Sequence, residues 1–224
     1  MSLPPYTPTI VPQLLVVEGP DGSGKTTQLE LLRKHIESFG VEVVVLREPG
    51  GTPFGEDLRD VFKKHFGKTD PMAEALLMQA ARQQLDVEVI QPAFERRAWV
   101  ITDRHAPSMF AYQGAGHKLG FSSLINLREG LGRHNRIADA TVILHVPAEE
   151  RERRMDARGE RDQIDDATLD FRKRVADAYE EFSHGNWSLA LGPMEEVDGT
   201  GTVEEVHQRV LEGLYWRLKG LYNE

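Results

Sequence analysis

Residues 14–27, LLVVEGPDGSGKTT, limit what this chain can fold into more than any other stretch. The run from Leu14 to Glu18 is short, apolar and bounded by Gly19-Pro20, which predicts a strand buried on both faces. TTQLELLRKHIESFG follows with helical spacing of its apolar residues and Gly40 as a stop. A buried strand that feeds a helix through a glycine-rich turn is the opening unit of a parallel α/β sheet. The same alternation continues along the chain. VEVVVL at 41–46 predicts a second buried strand, and REPGGTP leads from it into a helix starting at about Gly55. Residues 71–97 read as one long helix with Pro71 near its start, AWVITD at 98–103 as a third strand and ATVILHV at 140–146 as a fourth. A weaker strand is expected within 188–197, before a last amphipathic helix that opens on the capping-box pattern Thr202-Val203-Glu204-Glu205. The expected fold class is therefore α/β, a parallel five-stranded sheet with helices on both faces and ligands beyond the carboxyl ends of its strands.

The chain has 224 residues, within reach of one such sheet. No repeat or linker divides it after residue 13, so residues 14–224 are read as a single domain behind a loose leader, MSLPPYTPTIVPQ, that holds four prolines. That leader has no apolar core segment and reads neither as a secretion signal nor as a membrane helix. A net charge of −9 repels nucleic acid polymers, so any phosphate site has to be a local basic pocket. With no cysteine, disulfides, thiolate metal sites and cysteine nucleophiles are excluded, and a cytoplasmic location is expected.

The turn after the first strand fits G-x-x-x-x-G-K-[ST] from Gly19 to Thr26. Its glycines let backbone N–H groups approach phosphate oxygens, and the helix N-terminus adds positive potential. Lys25 can reach β and γ oxygens, and Thr26 can ligate Mg²⁺. Gly19, Asp21, Gly22, Ser23, Gly24, Lys25, Thr26 and Thr27 are the expected ATP-binding residues. GKTD at 67–70 lacks the leading residue of a guanine-reading motif and comes too early in the chain, so it is read as a polar connection.

After the third strand comes TDRHAPSMFAYQGAG at 102–116. With REPGGTPFGEDLR at 47–59, the phosphate loop, EALLMQAARQQ at 74–84, RGERDQI at 158–164 and VDGT near the C-terminus, it resembles the thymidylate kinase family, whose blocks occur in this order. The resemblance implies a P-loop kinase that phosphorylates dTMP to dTDP with ATP and Mg²⁺ by in-line transfer. It implies that Arg104 and Arg59 bind the acceptor phosphate and that Asp103 helps Thr26 hold the metal. Ser108, Tyr112 and Gln113 resemble base and sugar contacts, while Asp21, Glu48 and Pro49 lie near the sugar and phosphates. Arg82 is a donor suited to a ring carbonyl such as O4 of thymine, and it opposes the amino group of cytosine. Family members are commonly homodimers.

None of Pro20, Asp21, Gly22 and Ser23 is basic, which is similar to the branch of the family whose lid supplies arginines. The lid is expected at about 150–166, with Arg154, Arg158 and Arg161 as catalytic cations beside Lys25 and Arg104. A cation delivered on closure stabilises the charge that spreads over the equatorial oxygens in the transition state. Three positions depart from the family pattern: Met78 replaces a stacking Phe or Tyr, Gln163 replaces the second arginine of the D-R-I-E lid motif, and His117 replaces a basic residue after Y-Q-G-x-G. A thioether is a softer platform for a base than a ring. Two other readings stay open: a kinase for another deoxynucleoside monophosphate, such as a 5-modified pyrimidine, and a weakly active nucleotide-binding regulatory homologue. The remaining histidines have no metal-ligand spacing.

Overall fold

A computed structural model describes residues 11–132, 136–159, 168–185 and 187–222, the side chain of Arg158 excepted. Its centre is a five-stranded, fully parallel sheet in the order β2-β3-β1-β4-β5. The strands are β1 Leu14–Glu18, β2 Val43–Arg47, β3 Trp99–Asp103, β4 Ala140–His145 and β5 Met194–Asp198. β1 is central, with Leu15 opposite Ala140 on one side and Leu14 opposite Val100 on the other. The chain leaves β1 toward β2 and β3 on one side and toward β4 and β5 on the other. The turn after β1 thus opens into the crevice where such sheets bind ligands.

Alternation along β1 explains the layers. Leu15 and Val17 face α1 (Lys25–Glu37), α10 (Val203–Gly213) and α11 (Tyr215–Leu218), sharing a core with Leu32, Val210 and Leu218. Leu14 and Val16 face the other way, against Leu85, Ile90 and Ala93. Ile143 of β4 joins that second face to a cluster containing Phe110, Tyr179 and Phe182. Complete burial of a side chain of this size contributes about 2 kcal/mol.

Several elements differ from the sequence-based expectation. β2 runs from Val43 to Arg47 and is an edge strand, not a buried one; it pairs with β3 alone and Val45 is 42% exposed. An apolar run reports a strand, while its place in the sheet depends on crossovers the run does not encode. The long helix at 71–97 is α3 (Pro71–Leu85), a π-helical turn (Asp86–Ile90) and α4 (Gln91–Glu95). Pro92 has no N–H to continue the α ladder, and the widened turn before it, with Gln91 N–H bonded to the Asp86 carbonyl, absorbs the mismatch. Of residues 188–197, Ser188–Leu191 form a helical turn, α9, and the strand begins at Met194. The capping box at Thr202 is present as expected.

The acceptor side is built by α2 (Pro53–His65), α3, α5 (Ala106–Met109), the π-helical segment Phe110–Gly116 and α6 (Phe121–Gly130). Residues 150–158 of the expected lid region belong to helix α7 (Ala148–Arg158), and α8 (Leu169–His184) follows the segment 160–167. Among the described residues no helix is long and apolar enough to cross a membrane.

Candidate active site

A cleft of about 250 Å³ lies beyond the carboxyl ends of β1, β2 and β3. Along its floor, the loop after β1 turns on Gly19, Gly22 and Gly24, all at positive φ. Gly22 has a packing reason as well as a conformational one. A Cβ there would stand 2.6 Å from the Arg151 carbonyl oxygen at the start of α7. Gly24 caps α1, so the first N–H groups of that helix open toward the cleft. Lys25 is 7% exposed, and its ammonium donates to the carbonyls of Gly19 at 3.0 Å and Pro20 at 3.1 Å. Burial first, and the Arg104 charge second, lower its pKa, against the raising effect of Asp21, Asp103 and Glu18. Thr26 Oγ1 donates to Asp103 Oδ2 at 3.3 Å, and Asp103 Oδ1 is buried with no hydrogen-bond partner among the described residues.

Opposite stands Arg104, at the end of β3 with a φ of +72°. A non-glycine residue there is strained by about 1–3 kcal/mol, and the conformation turns the side chain back over the phosphate loop. Its Nη2 donates to Asp21 Oδ1 at 2.5 Å and Tyr112 Oη at 3.2 Å, and its Nη1 to the Gly19 carbonyl, Ser108 Oγ and Tyr179 Oη. Tyr112 Oη donates in turn to Asp21 Oδ2 at 2.8 Å. Burial would raise the Asp21 pKa, but the charges of Arg104 and Lys25 and the bonds from Tyr112 and Arg104 outweigh it and hold the carboxyl well below the usual range.

Deeper in the cleft, Arg82 Nε donates to Glu48 Oε2 at 2.6 Å, its Nη1 reaches Gln79 Oε1, and neither bond uses Nη2. Glu48 Oε1 lies 2.7 Å from His105 Nδ1. Burial works against its ionisation, yet Arg82 and His105 bring the Glu48 pKa down to about 2. The Glu48-Pro49 bond is cis, and Arg59 Nη1 donates to the Pro49 carbonyl at 2.9 Å. Gln113 is fully buried; its Nε2 donates to Glu74 Oε2 at 3.0 Å, leaving Oε1 buried without a partner among the described residues. Met78 lines the same wall.

Of the expected site residues, Asp21, Gly22, Gly24, Lys25, Thr26, Glu48, Pro49, Arg59, Met78, Arg82, Asp103, Arg104, Ser108, Tyr112 and Gln113 all line this one cleft. Gly19 and Ser23 lie in the loop beneath it without lining it; Thr27 is exposed and does not line it either. Arg154, on α7, donates to the carbonyls of Ser23 at 3.4 Å and Gly199 at 3.1 Å, beside the phosphate loop. The Arg158 side chain, Arg161 and Gln163 lie outside the described residues. His117 does not line the cleft: it sits against Phe66 and Phe171, ring centroids 5.0 and 4.7 Å away, where burial lowers its pKa. Sequence reasoning missed Arg47, Phe62, Lys63, His105, Met109 and Met155 in the lining, and Glu18 and Tyr179 behind it. Glu18 and His105 had a legible signal, since both flank carboxyl ends of predicted strands; Tyr179 had none beyond a place on the buried face of a helix.

A profile of the family described as thymidylate kinase matches residues 17–210. The chain belongs to the thymidylate kinase family. It is 36% identical over 203 residues to the thymidylate kinase of Idiomarina loihiensis, covering 90% of this chain and 96% of the relative. With the thymidylate kinase of Kosmotoga olearia it shares 37% identity over 208 residues, 91% of this chain and 96% of that one. The crystal structure of thymidylate kinase from Ehrlichia chaffeensis superimposes with a TM-score of 0.69 at 28% identity, covering 90% of this chain and 98% of the other. The five-stranded parallel sheet flanked by helices is thus the fold of this family, and the lined cleft occupies its crevice.

Proposed function

We propose that the chain transfers the γ-phosphoryl group of ATP to the 5′-phosphate of dTMP, giving ADP and dTDP. One observation carries this reading: a single cleft joins the phosphate loop with Lys25 and Thr26 to a wall that presents Arg104, Arg82 and Gln113. Lys25 exchanges its loop carbonyls for β and γ oxygens of the donor. Arg104 and Arg59 take the acceptor phosphate, whose charge needs cations that cannot lose their protons. Arg104 gives up Asp21 for that phosphate, since the Asp21 side chain is 39% exposed and can turn to solvent or to the sugar. Nη2 of Arg82 and the unpaired Oε1 of Gln113 offer a donor and an acceptor, which match the O4 carbonyl and N3–H of thymine. Tyr112 and Ser108, both in the lining, are assigned to the sugar and base.

Asp103 and Thr26 fit Mg²⁺: Asp103 Oδ1 is a buried carboxylate oxygen in need of a partner, and a hard cation with water ligands supplies one. When bound, the ion neutralises charge on the β and γ oxygens. Transfer is in line and needs neither a covalent intermediate nor a general base. Arg154, already against the loop, Arg158 at the end of α7 and Arg161 beyond it are assigned to the charge that develops on the transferring group. The enzyme is further assigned to the cytoplasm and to a homodimer, as the family resemblance suggests.

Met78 in the lining favours one second reading, a preference for another pyrimidine deoxynucleotide over dTMP. A weakly active nucleotide-binding regulatory homologue is disfavoured by the intact Lys25, Thr26, Asp103 and Arg104. ADP formation from ATP and Mg²⁺ across a panel of nucleoside monophosphates tests both. Turnover is expected to be fastest with dTMP; a faster acceptor of another base would replace it, and no turnover with any acceptor would remove the kinase.

A further inference from the structure

Tyr179 belongs to no motif, yet its hydroxyl touches three groups at the acceptor wall, Glu18, Arg104 and Ser108. It is fully buried on α8, donates to Glu18 Oε2 at 2.8 Å, accepts from Arg104 Nη1 at 3.2 Å and lies 3.0 Å from Ser108 Oγ. Glu18, also fully buried, receives the backbone N–H groups of His105 at 2.7 Å and Ser108 at 3.1 Å on Oε1. Its Oε2 takes two hydroxyls, Ser108 Oγ at 2.8 Å and Tyr179 Oη at 2.8 Å. Arg104 remains 3.9 Å from Glu18.

That separation is unusual for a guanidinium beside a buried carboxylate. The low local dielectric favours a direct, charge-assisted pair, and such a pair would be hard to break. Here two neutral hydroxyls stand between the charges. They spend their protons on Glu18 Oε2 and turn their oxygens toward Arg104 Nη1. Arg104 therefore makes its carboxylate contact with Asp21, 39% exposed, where a ligand can displace it. We propose that Tyr179 is a positioning residue that insulates Arg104 from Glu18 and so keeps the guanidinium available to the acceptor phosphate. This rests on the assignment of Arg104 to that phosphate. The hydroxyl has a second consequence: it ties α8, the helix after residues 160–167, to the acceptor wall.

Tyr179→Phe retains the ring that fills the site and removes only the hydroxyl. Calorimetric titration of dTMP and of thymidine, which lacks the phosphate, reads the effect. In the variant dTMP is expected to bind about tenfold more weakly, with thymidine changed by less than about twofold, the loss of one charged hydrogen-bonding geometry. Glu18→Gln removes the charge that would capture Arg104. In a Glu18→Gln background, whatever that change costs by itself, adding Tyr179→Phe should then lower dTMP affinity by less than about twofold, because no carboxylate is left to capture Arg104. A parallel fall for dTMP and thymidine would assign Tyr179 a purely structural role and overturn the proposal. So would unchanged dTMP binding in Tyr179→Phe, or an equal loss from Tyr179→Phe in the Glu18→Gln background. Failure of the underlying assignment looks different: wild-type protein would then bind dTMP no more tightly than thymidine, which sinks both claims before any variant is made.

Discussion

Single side chains here carry opposite relations to stability and to chemistry. Arg128, on α6, is 2% exposed, and its Nε, Nη1 and Nη2 have no hydrogen-bond partner among the described residues. Burial first, and the Arg82 charge second, bring its pKa down to about 9, against the raising effect of Glu48. A buried cation without its own acceptor costs several kcal/mol, and an apolar replacement of similar length removes that cost. Arg128→Met is therefore expected to raise stability by about 1–3 kcal/mol, seen as a higher Tm; a lower Tm would mean that Arg128 finds an acceptor in solution. Arg158 is the reverse case. If it meets the γ-phosphoryl group only in the transition state, Arg158→Ala lowers kcat by about 10³-fold and leaves dTMP affinity nearly unchanged. Steady-state kinetics with a dTMP titration decides this, and near wild-type turnover would move the role to Arg154 or Arg161. Residue types in short motifs were legible in the sequence because phosphate and carbonyl chemistry demands them. Arg128 and Tyr179 were not, since a residue on a helical face shows its burial only once the facing helix is known.

Among the elements, the contact of α7 with the phosphate loop matters most for function. The Arg151 carbonyl oxygen would lie 2.6 Å from a Cβ on Gly22, and Arg154 Nη1 would lie 3.8 Å from one on Gly24. One turn of helix thus sets where Arg154, the cation assigned to the transferring group, stands beside the phosphate loop. Gly22→Ala carries both a φ of +80° and this clash, so it displaces α7, Arg154 with it. At least a tenfold fall in kcat is expected with dTMP binding retained, a split that kinetics and calorimetry together read. The alternation of apolar strands and helices made the fold class legible, because four of the five strands are closed within two residues by glycine or proline, at Gly19, Pro49, Pro147 and Gly199. What it left open is physical rather than accidental. The edge position of β2 comes from crossovers, the π turn before Pro92 from a missing N–H, and the delayed start of β5 from the helical turn at Ser188–Leu191. The lid expected at about 150–166 met the same limit: its first residues, as far as Arg158, belong to helix α7, and Met155 among them is 7% exposed and lines the cleft.

For the whole molecule, protonation is the property in which separate regions add. Burial lowers the pKa of His35, His117, His145 and His207 below the ordinary value of 6.5. They lie in different surroundings: His35 and His207 face each other, His117 faces Glu74 and Arg174, and His145 faces Glu196, Glu180 and His184. In each case the unfolded chain takes up the proton first as pH falls. Stability linked to these groups is fully present above about pH 6.5 and is lost as pH falls through their folded values. Glu48, down to about 2, and Asp21 have the same sign at lower pH: their contribution is complete above the unfolded carboxylate values near 4 and is lost below them. Acidification should therefore weaken the fold in two stages, the first from histidines that do not line the cleft and the second from carboxylates that do. Urea unfolding at pH 7.5, 6.5, 5.5 and 4.5 measures this as a positive slope of stability against pH, already present between about 6.5 and 5. Replacing His117 and His145 with Gln should flatten the upper stage and leave the lower one. A stability constant from pH 7.5 to 5 would mean that these histidines titrate alike in the folded and unfolded chain.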